Sequence, residues 1–242
     1  MRRHMFRWSP ARIIAGAFGS ISFIGSILLY LPWGHMPGQS ITYVDALYTA
    51  VSALCVTGLS IVDTAAVFNP FGQAILAVLI QVGGLGVSTM GAGVLLMLGR
   101  KVGIRQRNLI HDTMNLDSYS GVVRFLRTLF ATTVFIEVIG AFLGYFVFRR
   151  DYEMMESIGL SIFHSISSFN NAGLTILTKE RSMEMYAEDP FMLILTTALV
   201  FVGGLGFIVI RECWVNRFRW RKLSMHSRVS IFMAVFLLVG GG

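Results

Sequence analysis

Residues Asp45–Thr64 read DALYTAVSALCVTGLSIVDT. Ala46 to Val56 is a short run of helix-forming, mostly apolar and small side chains. The chain then breaks at Thr57-Gly58 into Leu59-Ser60 and leaves through Asp63-Thr64. An apolar run of roughly 10–14 residues is too short to cross a hydrocarbon core about 30 Å thick, which leaves a buried soluble helix or a re-entrant segment. The flanks decide between these. Ile13–Leu31 and Phe71–Leu98 carry no charge, and each is long enough to span a bilayer as a helix at about 1.5 Å per residue. The stretch therefore predicts an order of span, short dipping helix, glycine-broken extended segment, span.

Composition points the same way. Hydrophobic residues make up 55% of the chain and charged residues 14%, against about 25% charged in an average soluble domain, and the mean hydropathy is +0.67. The net charge of +7 invites a nucleic-acid reading, but the placement of the charges argues against it. Arg2, Arg3, Arg7 and Arg12 precede the first span, Arg100, Lys101, Arg105 and Arg107 follow the second, and Arg217, Arg219, Arg221, Lys222 and Arg228 follow the last complete one. All fall on one side if the chain crosses once per span. Asp45, Asp63, Asp151, Glu153, Glu156, Glu180, Glu184, Glu188 and Asp189 fall on the other, with Arg149, Arg150, Lys179 and Arg181 as their only basic company. That asymmetry places the N-terminus in the cytoplasm and the chain in the cytoplasmic membrane, in contact with lipid and not with nucleic acid. Cys55 and Cys213 are far apart in apolar surroundings, and the five histidines form no ligand pattern, so neither a disulfide framework nor a metal cluster is expected. No small-x-small cleavage site follows the first span, which reads as retained.

The pattern occurs twice. LSIFHSISSFNNAGLTI, Leu160–Ile176, lies on DALYTAVSALCVTGLSI, with Ser52 over Ser167, Gly58 over Gly173 and Leu59 over Leu174. DPFMLILTTALVFVGGLG, Asp189–Gly206, lies on NPFGQAILAVLIQVGGLG, Asn69–Gly86. The expected organisation is a basic N-terminus (residues 1–12), a first span–pore-loop–span repeat (13–107), a second (108–222) whose opening span runs from about Thr128 to Phe148, and the start of a third (223–242). Both repeats begin and end inside, so they are parallel about the membrane normal. Val229–Gly242 covers only about 21 Å as a helix, short of the ~30 Å required, and is read as the front of a longer protein or a fragment of one. The fold class is an all-α membrane protein of tandem repeats.

Non-helical backbone within a membrane is tolerated only where protein covers it or it lines a wet cavity. Two such breaks, Val56–Leu59 and Asn171–Leu174, therefore demand such a lining. Glycine at 58 and 173 can adopt angles that turn successive carbonyls the same way, and rings of carbonyls replace the hydration shell of potassium. The short helix before each break aims its negative C-terminal end at the membrane centre, which suits a cation. For the GGLG elements at Gly83–Gly86 and Gly203–Gly206, close helix packing is preferred over a gating kink. Glu137 in the third span and Arg211-Glu212 near the end of the fourth are intramembrane charges. A buried ion pair holding two spans together is the simpler account of them, with Arg124 or Arg127 within reach of Glu137 only if other spans bring them close. His164 is expected to hydrogen-bond a neighbour rather than to relay protons.

ALYTAVSALCVTGLSIVDT, the following FNPFGQAILAVLIQVGGLG, the GRKVGIRQR loop and FHSISSFNNAGLTIL together resemble the membrane subunit of the Trk/Ktr/HKT potassium-transporter superfamily, closest to its KtrB branch. The resemblance covers essentially the whole chain. It implies four span–pore-loop–span units around one pore, each giving one filter glycine. Here these are Gly58 and Gly173, with Val56, Thr57, Asn171 and Ala172 as carbonyl donors and Cys55 and Asn170 deeper. It also implies potassium as the transported ion with no other cofactor, sodium as an activator in some members, a cytoplasmic nucleotide-binding ring of KtrA or TrkA type, and a homodimer of full-length subunits. Units three and four are missing from this sequence, and two units supply half a ring, so this chain by itself is not expected to conduct. Two rivals from other classes are a non-conducting scaffold or regulatory subunit that retains the fold, and an integral-membrane enzyme. The enzyme would need a convergent polar cluster at membrane depth, and the sequence displays none.

Overall fold

The computed structural model describes residues 10–86, 89–90, 122–177, 183–216 and 219–240. The expectations placed on residues 1–9, on the basic and polar loop at 100–119 and on Lys179–Arg181 lie outside these. The described residues form helices α1 (Pro10–Tyr30), α2 (Tyr43–Cys55), α3 (Thr64–Val67), α4 (Pro70–Leu85), α5 (Val122–Phe148), α6 (Met154–Phe169), α7 (Pro190–Gly204), α8 (Phe207–Val215) and α9 (Met225–Gly240), with 3-10 turns at Pro32–Gly34, Met183–Tyr186 and Trp220–Lys222. No strand occurs among them.

Local chemistry fixes most helix starts. Thr42 caps α2 reciprocally: its hydroxyl accepts from the Asp45 N–H at 3.2 Å, while Asp45 accepts from the Thr42 N–H at 3.1 Å, the capping-box arrangement. Asn69 and Asp189 cap α4 and α7 with their side chains alone, each accepting from two backbone N–H groups beyond a proline at the first helical position, where its missing N–H has no helical partner to lose. Asn69 also donates to the carbonyls of Trp33 at 2.8 Å and His35 at 3.1 Å, tying the connection after α1 to the start of α4. The second short helix begins at Met154, earlier than the sequence match suggested, and α5 begins before Thr128.

α2 packs against α1 and α4, α6 packs against α5 and α7, and α4 meets α6 between the two halves. Their shared core includes Leu29, Phe68, Leu76, Ile80, Phe148, Phe169 and Met192. The outward faces are apolar too: Val134, Val138, Phe142 and Phe146 lie four apart on α5 and are all exposed. An exposed apolar stripe of that length suits lipid rather than water.

The spans differ from expectation in two ways. Among the described residues only Phe125–Phe148 is long and apolar enough to cross a membrane as one straight helix, and the apolar part of α1 is the shorter Ile14–Tyr30. The helices containing GGLG both stop there: Gly86 at φ 82° and Gly206 at φ 81° lie in the left-handed region, and α8 leaves α7 at 99°. A residue in that region ends a helix, so packing alone does not describe these glycines.

Candidate functional site

The two breaks are built alike. α2 ends at Cys55, the exposed final residue, and Val56 follows in left-handed conformation at φ 56° and ψ 43°. Gly58 has φ 72°; in the second copy Asn171 has φ 57° and Gly173 φ 68°, with Thr57 and Ala172 outside that region. Left-handed, ordinary, left-handed is therefore the pattern of both. The hydrogen bonds match as well. Thr57 N–H donates to Ser52 O at 3.1 Å and Ala172 N–H to Ser167 O at 2.8 Å. The Ser52 hydroxyl donates to Leu59 O at 2.5 Å and the Ser167 hydroxyl to Leu174 O at 2.6 Å. Each serine thus gives a partner to a carbonyl of the extended segment beyond the break, where no helix supplies one.

The breaks lie side by side. A Cβ on Gly58 would come within 2.7 Å of Ala172 O and 3.5 Å of Gly173 Cα, and one on Gly173 within 3.6 Å of Gly58 Cα. The Thr64 hydroxyl, just beyond the first break, donates to Thr175 O beyond the second. Behind each break stands the first glycine of a GGLG element: a Cβ on Gly83 would fall on Leu54 O, and one on Gly203 on Phe169 O. The packing half of the GGLG expectation is therefore sound: it resides in the first glycine of both copies and in Gly84 of the first, while the last glycine ends the helix.

Val56, Thr57, Gly58, Asn171, Ala172 and Gly173 are thus brought together. Asn170, buried where Cys55 is exposed, turns its side chain away from the breaks toward Gln81 on α4 and Glu137 on α5. The Asn171 amide faces α7, its nitrogen donating to Val200 O and its oxygen accepting from Gly204 N–H, both at 3.2 Å.

The expected ion pair is corrected. Glu137 accepts from the Asn170 amide at 3.3 Å. Arg127 is exposed, and the Arg124 side chain lies outside the described residues. Arg211 is exposed on α8 with its guanidinium 5.7 Å from the centre of the Phe125 ring. Glu212 accepts from Ser224 N–H and hydroxyl at 2.7 Å each, and from the Ser227 hydroxyl, at the start of α9. The bend after Gly206 sets Arg211 over Phe125 at the start of α5, far along the helix from Glu137, and turns Glu212 toward α9, so their place in the sequence misled. His164 Nε2 lies 3.1 Å from the Thr196 hydroxyl, as expected. Sequence reasoning missed Gln81; the signal available was an amide in an otherwise apolar span, just before the first GGLG element.

Comparison with known proteins adds a family match and three relatives. The TrkH family, described as cation transport protein, matches residues 10–233. The potassium/sodium uptake protein NtpJ of Enterococcus hirae is 35% identical over 235 residues, covering 97% of this chain and 51% of that protein. The Ktr system potassium uptake protein B of Bacillus subtilis is 34% identical over 225 residues (93% and 49%), and its namesake in Vibrio alginolyticus 35% identical over 247 residues (99% and 52%). The chain therefore spans about half the length of these relatives.

Proposed function

The chain belongs to the TrkH family of cation transport proteins, and from that premise we propose that it forms half of the pore of a potassium uptake protein, with the two breaks as adjacent quarters of its selectivity filter. One observation carries the reading: two neighbouring breaks share the same alternation of backbone hand and the same serine-to-carbonyl bonds. Alternating hand aligns successive peptide groups, N–H to one side and carbonyl to the other. The carbonyls of Val56, Thr57, Gly58, Asn171, Ala172 and Gly173 then face a common axis, with those of Cys55 and Asn170 deeper. They replace the water shell of a potassium ion, and no covalent chemistry is involved. α2 and α6 end at this point, and their C-terminal dipoles favour a cation there.

On this reading the repeats are parallel about the membrane normal and the N-terminus lies in the cytoplasm. Sodium acts as an activator, a cytoplasmic nucleotide-binding ring controls the pore, and full-length subunits pair as homodimers. The test is Gly58→Ser in the intact protein, expressed in a bacterium deficient in potassium uptake. The expected result is a lowered preference for potassium over sodium. A Gly58→Ser protein that reaches the membrane with wild-type preference overturns the pore in favour of a scaffold.

A further inference from the structure

Behind the second break, three side chains from three helices close a polar cluster. Asn170, buried at the end of α6, donates from Nδ2 to Gln81 Oε1 on α4 at 3.0 Å and to Glu137 Oε1 on α5 at 3.3 Å, the same nitrogen lying 2.9 Å from Ile166 O of its own helix. The Asn170 side chain fits because Gly84 lacks a Cβ: one built there would fall on Asn170 Oδ1 and lie 2.6 Å from its Cγ. Gln81 and Gly84 are three residues apart and share one face of α4. Glu137 is held from a second direction, since its backbone carbonyl accepts from the Ser165 hydroxyl at 2.7 Å, in a space that Gly140 leaves open.

Two features make this more than helix glue. α4 belongs to the first copy of the sequence pattern, and α5 and α6 belong to the second, so the cluster bonds one half to the other. Asn170 also immediately precedes Asn171, the left-handed residue that opens the second break. Together with the Thr64 bond to Thr175 O, the cluster brackets that break from inside and outside. The first copy has Cys55 in place of Asn170, so only the second break is anchored in this way among the described residues.

We propose that Gln81 and Glu137 are positioning residues: through the Asn170 amide they set the register of the second break against the first, and so the cation preference of the pore. The inference rests on the pore reading above. A carbonyl site distinguishes potassium from sodium by cavity size and by the number and field of its oxygens, all of which depend on where the backbone sits. Removing Gln81 or Glu137 leaves buried amide or carboxyl groups short of a partner in a poorly solvated place, and the group that must reorient is the side chain next to the break.

The experiment uses the intact protein with its native partners in a potassium-uptake-deficient bacterium. It reads the ratio of half-saturating sodium to half-saturating potassium, and separately the maximal rate per folded protein, for Gln81→Leu, Glu137→Leu and Gly58→Ser. Both leucine variants are expected to lower the ratio about tenfold, the scale of leaving one buried hydrogen-bonding group without its partner, while Glu137→Gln, which keeps an acceptor for Asn170, retains it. A merely structural role reduces the amount of folded protein and leaves the ratio alone, and that result overturns the inference. If the leucine variants do not accumulate, Gln81→Met and Glu137→Gln decide: the first must lower the ratio and the second must not. Wild-type ratios in the cluster variants alongside an altered Gly58→Ser sink only this inference. A wild-type ratio in Gly58→Ser sinks the pore itself.

Discussion

Val56 is a β-branched residue in left-handed conformation, a placement that costs about 1–3 kcal/mol and persists only where the surroundings impose it. Here they do: the Ala53 and Ser52 carbonyls accept from its N–H as the cap of α2, and its Cγ2 lies 3.1 Å from where a Gly83 Cβ would stand. The second copy has Asn171 at this position, a residue type that tolerates the conformation better. Val56→Asn is accordingly expected to raise the stability of the purified protein by about 1 kcal/mol, read as a higher thermal midpoint in detergent. A lower midpoint means that the Val56 contacts outweigh its strain. Gly58 and Gly173 were legible in the sequence because glycine advertises a positive φ. Val56 was legible as a site residue but not as a strained one, because valine is an ordinary residue in a helix or a strand and only the neighbouring structure forces it elsewhere.

At the scale of elements, helical glycines have opposite fates. Gly83 and Gly203 sit against the backbone carbonyls that end α2 and α6, while Gly16 and Gly19 on α1 have nothing within 4 Å of a built Cβ. Gly83→Ala and Gly203→Ala are expected to cost about 1–3 kcal/mol or more, since a carbonyl held by its helix cannot step aside. Gly16→Ala is expected to stabilise by up to about 1 kcal/mol through helix propensity. Thermal midpoints of the purified variants rank them, and equal effects would refute the packing role of GGLG. The start of α7 gives a pH dependence. The Met192 N–H, followed by the Phe191 N–H and the Arg150 guanidinium, holds the Asp189 carboxyl below the ordinary aspartate value of 3.8. A carboxyl depressed on folding stabilises the fold above its unfolded value, and that stabilisation is lost as pH falls through the folded one. Acidification below the ordinary aspartate value should therefore weaken the wild type more than Asp189→Asn, measured by thermal unfolding across acid pH. The exposed partner Arg150 adds little to this, since surface ion pairs contribute little.

At the scale of the molecule, charge decides orientation. Glu188 follows the 3-10 turn Met183–Tyr186, and Arg221 lies in the turn between α8 and α9. On the proposed reading the positive-inside asymmetry is expected to put them on opposite sides. A cysteine at Glu188 should react with a membrane-impermeant thiol reagent in intact cells, and one at Arg221 only after permeabilisation. The reverse pattern would invert the topology.

The sequence by itself determined the membrane class, the two glycine breaks, their equivalence and the family, because length, hydropathy, charge placement and repetition are properties of the chain read locally. Tertiary structure alone decided that the breaks touch, that Glu137 meets the Asn170 amide and no guanidinium among the described residues, and that the fourth span bends by 99°. Those outcomes depend on how each helix is rotated and where it stops. A rotation of one residue changes every facing side chain while leaving hydropathy untouched.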